Sequence, residues 1–142
     1  METRVGQIST TGEAPRKPYA PEIHPEWFLG KHEKQLGKGV GLTQFGVNHV
    51  TLEPGARSAL RHWHDAEDEF VLVLSGELSL IDDNGEHRLS AGAFAGFPAG
   101  QANAHHLANH SEAPAIYLAI GSRKPGEETI CYPDDPIGPI RK

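Results

Sequence analysis

The sequence has little cysteine and no long apolar run. Its one cysteine, Cys131, cannot form an internal disulfide and fits a reducing compartment. No stretch approaches the roughly 18 uninterrupted apolar residues that a membrane span requires. The first residues, METRVGQIST, lack the basic segment and apolar run of a secretory signal. We therefore expect a cytoplasmic protein that has no membrane partner.

Clustered positive charge is absent as well. The formal net charge is -6, and the 13 Lys and Arg residues are scattered along the chain rather than gathered into a stripe. Nucleic-acid binding normally depends on such a basic patch. No GxGxxG or Walker loop is present, so the chain carries no nucleotide-binding fingerprint. We therefore expect no nucleic-acid partner.

The chain is rich in glycine, proline and short β-prone segments. Its 142 residues suffice for one domain, and the 16 glycines and 11 prolines indicate many turns. We predict an N-terminal arm with a first edge strand over residues 1–45, a β-barrel over 46–121 and a C-terminal arm over 122–142. The N-terminal arm contains four prolines that favour extended chain, namely Pro15, Pro18, Pro21 and Pro25.

Eight short β-prone segments lie between residues 46 and 121, separated by turn residues. They are GVNHVTL, RSALRHWH, EFVLVL, ELSLI, EHRLS, AFAGF, AHHLAN and AIYLAIG. Asn84-Gly85 is a strong hairpin signal because this dipeptide supplies the positive φ of a tight turn. The pattern is typical of an all-β sandwich or barrel. We expect the apolar residues of the third and fourth segments, from Phe70 to Leu74 with Leu78 and Leu80, to form core.

A histidine pair on one strand is the first sign of chemistry. Strand side chains alternate, so His62 and His64 project from one face and Trp63 from the other. Imidazole is the commonest transition-metal ligand in proteins. Glu69 begins the next segment after the short DAED turn, and hairpin pairing returns it beside the two histidines. The three side chains can form part of a metal-ligand shell, although the histidine pair alone is a weak signal of metal binding.

These residues belong to a longer pattern. It runs Gly55…His62-x-His64-x4-Glu69-x6-Gly76, continues as Gly92-x5-Pro98-x-Gly100, and ends in His105-x3-Asn109. The spacings resemble the paired signature motifs of the cupin family over about residues 46–121. The resemblance implies a double-stranded β-helix, or jelly-roll, barrel. It also implies one divalent metal ion held by His62, His64, Glu69 and a later histidine.

The fourth ligand is the open point. Where the family pattern places it, this chain has Asn103, because QANA follows Gly100. Aligning the motif on Asn109 instead makes His105 the ligand, and its neighbour His106 is the alternative. Adjacent strand residues face opposite ways, so only one of these two histidines points inward without a bulge.

The implied site has open coordination positions for a small-molecule substrate. Its ligands suit Zn, Fe, Mn, Ni, Co or Cu and do not choose among them. The chain resembles compact bacterial cupins described as sugar-phosphate isomerases, which implies an isomerase or lyase acting on a small polar metabolite. An iron-dependent dioxygenase and a non-catalytic binding or sensing module are the alternatives. We also expect a homodimer, with exchanged arms or packed sheets.

Isomerase or lyase chemistry at this site also needs a proton carrier. The candidates are His106, His49 and a carboxylate of the C-terminal tail. Arg57 and Arg61 flank the histidine pair and could bind an anionic substrate, although ion pairs with neighbouring carboxylates are the simpler interpretation. No Ser/His/Asp or Cys/His nucleophile arrangement stands out in the sequence.

Overall fold

The computed structural model describes residues 2–14, 20 and 22–142, so Pro15, Pro18 and Pro21 lie outside the described residues. Its helical segments are short: 3-10 turns at Ile8–Thr10 and Pro25–Phe28, and one α-helix, α1 (Leu36–Gly39). Among the described residues, no helix is long and apolar enough to cross a membrane. The strands are β1 (Lys31–Gln35), β2 (Phe45–Leu52), β3 (Trp63–His64), β4 (Glu69–Ser75), β5 (Glu77–Asp82), β6 (Gly85–Ser90), β7 (Phe94–Phe97), β8 (His106–Ala108), β9 (Ala115–Ser122), β10 (Thr129–Cys131) and β11 (Ile140–Arg141).

The strands form three antiparallel sheets. The largest has the order β1-β2-β9-β4-β7, and the other two have the orders β6-β5-β8 and β11-β10-β3. The five-stranded sheet packs against the β6-β5-β8 sheet, and one apolar cluster fills the space between them. This arrangement confirms the predicted all-β jelly-roll class. The core residues are Val50, Leu52, Ala56, Val71, Val73, Leu78, Leu80, Leu107, Ala115 and Tyr117.

The prediction that all of the β4 apolar run belongs to the core is wrong for alternate residues. Val71 and Val73 are buried, whereas Leu74 is 43% exposed. Because side chains alternate along a strand, β4 turns only one of its faces to the core. The alternate side chains point to the opposite face of the sheet. On that face, Leu72 has Phe94 and Leu118 as its partners on the two neighbouring strands. We call the apolar patch formed by Phe70, Leu72, Leu74, Phe94 and Leu118 the outer sheet face.

The β5–β6 hairpin forms where the sequence predicts it, but its turn is shifted by one residue. Asp82 pairs with Gly85, so Asp83 and Asn84 are the turn residues. Gly85 has a φ of 122° and therefore occupies a backbone conformation that glycine adopts without a Cβ penalty. The Asp82 carboxylate accepts a hydrogen bond from the Asn84 amide at 2.8 Å, which stabilises the tight turn.

The C-terminal segment, residues 124–142, contains two short strands, β10 and β11, where the sequence predicted only an arm. Its strand β10 pairs with β3, with Ile130 opposite His64. Ile130 and Tyr132 are buried with Leu60 in a second apolar cluster. This burial fixes the segment against residues 61–64, which include β3 and which we call the histidine strand. The sequence did not predict these strands, because β10 is three residues long and β11 only two.

Candidate metal centre

Two strands bring the histidines together. His62 lies directly before β3 and His105 directly before β8, and the two residues form an isolated antiparallel bridge. Their backbones exchange hydrogen bonds of 3.2 and 3.0 Å. The ring centroids of His62 and His105 are 5.1 Å apart, and those of His62 and His64 are 4.9 Å apart. Strand alternation and the bridge between His62 and His105 thus place the three imidazole rings close together.

Glu69 completes the cluster from the first position of β4. Its Oε1 lies 2.6 Å from Nε2 of His105 and 3.9 Å from Nε2 of His64. One ligand atom each from His62, Glu69 and His105 lie within 4.8 Å of one another. The structure therefore brings together all four side chains of the predicted set, including His105.

Each of the three histidines has a hydrogen-bond acceptor beside its Nδ1. In chain order, these acceptors are the Leu60 carbonyl oxygen at 2.7 Å, the Glu128 carboxylate at 2.6 Å and the Asn103 carbonyl oxygen at 2.9 Å. An acceptor at Nδ1 holds the proton there and leaves the Nε2 lone pairs of His62 and His64 free, whereas Nε2 of His105 is hydrogen-bonded to Oε1 of Glu69 at 2.6 Å. Three imidazoles and one carboxylate are a donor set that divalent transition metals prefer. The residues present therefore fit such an ion.

Burial sets the charge state of the cluster. Desolvation lowers the pKa of His62 to about 4, and the nearby Glu69 carboxylate only partly opposes this shift. Burial raises the pKa of Glu69, but the hydrogen bond from His105 and the charges of the histidines outweigh it and lower that pKa to about 2. At neutral pH the site thus offers a neutral imidazole at His62 and an ionised carboxylate, as metal ligation requires.

His106, the alternative fourth ligand, has different neighbours. Its Nδ1 donates to the carbonyl oxygen of Ala59 at 2.7 Å, and its Nε2 accepts from Nη1 of Arg57 at 2.9 Å. The ring also packs edge-on against Trp27, with centroids 5.6 Å apart. Both ring nitrogens are therefore engaged away from Glu69, and desolvation lowers the pKa of His106 to about 4.

The two asparagines that framed the motif have structural roles. The Asn103 side chain accepts a hydrogen bond from the Asp83 amide at 2.9 Å, while its carbonyl oxygen orients His105. Asn109 is fully buried, and its Nδ2 donates to the carbonyl oxygens of Leu52 and Ala113 at 2.8 Å each. Asn109 thus fixes the end of β8, which explains why it serves as the alignment anchor.

The other predicted polar residues lie outside this cluster. His49 lies between Asn48, which lines the cavity beside the histidines, and the buried Val50, so strand alternation turns it to the opposite face of the sheet. Arg61 forms ion pairs with Asp134 and Asp83 at 2.6 and 2.9 Å. Arg61 therefore forms ion pairs with carboxylates, as the simpler interpretation of the sequence expected. Its partners are distant in the sequence, however, and not neighbours.

A cavity of about 660 Å³ adjoins the histidine cluster. The ring of Phe97, on its wall, stacks on His105 with centroids 3.5 Å apart. The inward face of β1 supplies a polar wall formed by Lys31, Glu33 and Gln35. Glu33 is 5% exposed. The cavity is therefore lined by polar groups in addition to the histidine cluster.

Sequence reasoning missed two carboxylates at this site, Glu33 and Glu128. Glu33 lies in the charged run KHEKQ, which has no alternation of apolar and polar residues that would reveal an inward face. Glu128 follows the turn residues Pro125 and Gly126 and has no recognisable motif around it. Neither position carried a local signal that could have identified it.

The family model of the cupin domain matches residues 48–121, which is more than half of the chain. That range includes the histidine pair, Glu69 and His105. The chain belongs to the cupin family. No match was found among curated proteins.

Solved structures place this cupin beside two bacterial relatives. A sugar phosphate isomerase of the cupin superfamily from Silicibacter pomeroyi is 41% identical, with a TM-score of 0.81, and the match covers 91% of this chain and 81% of that one. A protein from Acidithiobacillus ferrooxidans, named provisionally as a sugar phosphate isomerase, is 36% identical with a TM-score of 0.70. That match covers 73% of this cupin and 65% of the relative, just under two thirds of its length.

A more distant structure shares the fold alone. The polyketide cyclase RemF from Streptomyces resistomycificus is 20% identical to this cupin, with a TM-score of 0.67 over 87% of this chain and 81% of that one. At this identity the likeness concerns the barrel and carries no statement about the reaction.

Proposed function

We propose that this cupin is a metal-dependent enzyme of the isomerase or lyase type that acts on a small polar metabolite such as a sugar or sugar phosphate. The observation that carries the proposal is the convergence of three histidines and Glu69 at the edge of a cavity of about 660 Å³. The Silicibacter pomeroyi relative, at 41% identity, supports the substrate class.

His62, His64, Glu69 and His105 are the residues that would hold one divalent transition metal ion. Bound there, such an ion supplies Lewis-acid polarisation of a carbonyl or hydroxyl oxygen. Zn, Fe, Mn, Ni, Co and Cu all accept this ligand set, and the cellular supply of metal decides among them. The protein provides oriented imidazoles, an ionised carboxylate and an adjacent cavity.

The cavity lining supports a polyhydroxylated, anionic substrate. Gln35 and Asn48 offer amide groups that pair with hydroxyls. The exposed cations Lys38 and Arg123 also line the cavity and could bind a phosphate group. Glu33, a buried carboxyl on the same wall, is our proposed proton carrier in place of His106, His49 and the tail carboxylate that the sequence suggested. These groups account for recognition and for proton transfer.

Metal analysis and turnover together test the proposal. Protein purified without chelators or metal-affinity steps is expected to contain about one equivalent of a transition metal per chain. After chelator treatment and reloading with each metal in turn, a panel of aldose and ketose phosphates is expected to show interconversion. Oxygen uptake with a bound substrate would favour a dioxygenase instead. A melting-temperature shift without conversion would favour a sensing module.

The cytoplasmic location expected from the sequence stays a prediction.

We propose that two copies of the chain associate through the outer sheet face. Phe94 is 67% exposed and Leu74 43% exposed on this face, and large apolar patches normally mark an interface. Light scattering is expected to give a dimer mass for the wild type and a monomer mass for Leu72→Asp. Val5→Asp is the matched control, since Val5 is 83% exposed outside the patch. A monomeric wild type would contradict the proposal.

A further inference from the structure

The C-terminal segment, residues 124–142, contacts the histidine strand at four consecutive positions. In order along that strand, Asp134 forms an ion pair with Arg61 at 2.6 Å, the Tyr132 ring lies 5.8 Å from that of His62, Cys131 pairs with Trp63, and Ile130 pairs with His64. This segment lies outside residues 48–121, the part of the chain that matches the family model. The surroundings of the two strand histidines are therefore completed by residues beyond that part.

Glu128, directly before β10, makes the closest of these contacts. Its side chain is 0% exposed, and its Oε2 lies 2.6 Å from Nδ1 of His64. Its Oε1 accepts a hydrogen bond from the Ala66 amide at 3.1 Å. The chain next to it is fixed, because the Thr129 amide donates to the Asp65 carboxylate at 2.7 Å. The Glu128 carboxyl is thus held in place behind His64.

The three histidines differ in how they are oriented. The Nδ1 acceptors of His62 and His105 are main-chain carbonyl oxygens two residues away along the chain. Only His64 depends on a side chain from a distant segment, 64 residues further along. Its ring orientation is therefore sensitive to a single substitution, whereas that of the other two histidines is built into the local backbone.

We propose that Glu128 is a positioning residue of the metal centre, which holds the Nδ1 proton of His64 and so turns the Nε2 lone pair of that ring toward Glu69. The inference rests on the proposed metal site and deepens it. Carboxylates that hold a histidine ligand in this way typically raise metal affinity by about 10- to 100-fold. Docking of the C-terminal segment and metal binding are then coupled, because the hydrogen bond between Glu128 and His64 contributes to both.

A second arrangement of the same residues would make Glu128 a ligand instead. One atom each from His64, Glu67 and Glu128 lie within 4.8 Å of one another. The carboxylates already accept backbone hydrogen bonds, however, Glu67 from the Lys124 amide at 2.8 Å and Glu128 from the Ala66 amide. Both oxygens of Glu128 and one oxygen of Glu67 are therefore engaged, and the two side chains are also hydrogen-bonded to each other, which favours positioning over ligation.

The test compares the variants Glu128→Ala and Glu128→Gln with the control variant Glu127→Ala. Glu127 is the neighbouring residue, and its side chain is exposed. The first readout is the tautomer of His64 in metal-free protein, measured by long-range proton–nitrogen NMR at neutral pH. The second is the affinity and stoichiometry of Co²⁺ and Zn²⁺, measured by competition with a chromophoric chelator. Melting curves of all variants show whether they are folded, and the glutamine variant preserves the side-chain volume at this buried site.

The wild type and Glu127→Ala are expected to show the Nδ1–H tautomer and equal affinities. Glu128→Ala is expected to populate both tautomers and to lose about 10- to 100-fold in affinity. Glu128→Gln is expected to lose about 10-fold, since Ala66 and His64 donate to different oxygens of Glu128 and the amide places an NH2 donor at one of these two positions. An unchanged tautomer with wild-type affinity in both Glu128 variants would overturn the inference, as would an Nε2–H tautomer in the wild type.

Two further outcomes separate this inference from others. Two metal equivalents in the wild type and one in Glu128→Ala would make Glu128 a ligand and overturn its positioning role. A wild type that takes up no metal would defeat the proposed function. The tautomer measurement on metal-free protein would then still decide whether Glu128 orients His64.

Discussion

Replacing His105 with alanine is expected to lower the affinity for Zn²⁺ and Co²⁺ by more than about 100-fold, the upper range for loss of an outer partner, and to abolish turnover. The substitution removes the imidazole whose Nε2 lies 2.6 Å from Glu69. It also leaves a half-buried carboxylate without its closest partner, which is unfavourable. The measurement is metal content and competition affinity of purified protein, together with turnover on the substrate identified in the panel.

His106→Ala is the matched control for His105→Ala. The two residues are adjacent and both are buried, at 4% and 3% exposure, so the substitutions remove similar volumes. His106 contacts Arg57 and Trp27 instead of Glu69, so its loss is expected to lower the melting temperature while metal affinity stays near the wild-type value. Loss of metal in His106→Ala with retention in His105→Ala would reverse the proposed assignment of the fourth ligand.

Replacing Glu33 with glutamine is expected to lower kcat by about 10²- to 10⁴-fold, the usual contribution of a positioned general acid or base. Glutamine keeps the volume and hydrogen-bonding shape of the side chain but carries no proton between substrate atoms. Because Glu33 is none of the four proposed ligands, metal content is expected to equal that of the wild type. Steady-state kinetics and metal analysis on the same preparation provide the measurement.

Glu53→Gln is the control for Glu33→Gln. Glu53 undergoes the same chemical change, but its side chain is 54% exposed and lies beside His32 rather than in the cavity. We expect wild-type kcat and KM for this variant. If Glu33→Gln retained the wild-type kcat, or lost its metal along with its activity, Glu33 would not be the proton carrier.

Local periodicity was sufficient for much of the site. His62 and His64 share a strand face because side chains alternate, and a short turn returns Glu69 beside them. These relations act over a few residues, so the sequence alone expresses them. The choice between His105 and His106 could be framed in the same way, since adjacent residues face opposite sides. Which of the two histidines faces Glu69 depended on the bridge between His62 and His105, and this bridge joins segments far apart in the chain.

The errors concern faces and distant partners. The run Phe70 to Leu74 reads as uniformly apolar, and nothing local distinguishes the core face of β4 from the outer sheet face. The C-terminal segment contains only very short strands, whose pairing with β3 is stabilised by burial rather than by intrinsic preference. Tertiary packing therefore decided both features.

The amino-acid sequence by itself determined the all-β class, the family and three of the four side chains that meet at the proposed metal site, because spacing and strand alternation are local properties. The tertiary structure decided which of the adjacent histidines faces Glu69. It also decided that Glu33 lines the cavity and that Glu128 lies behind His64. These last features depend on strand register and on a hydrogen bond between residues 64 positions apart, which no local pattern encodes.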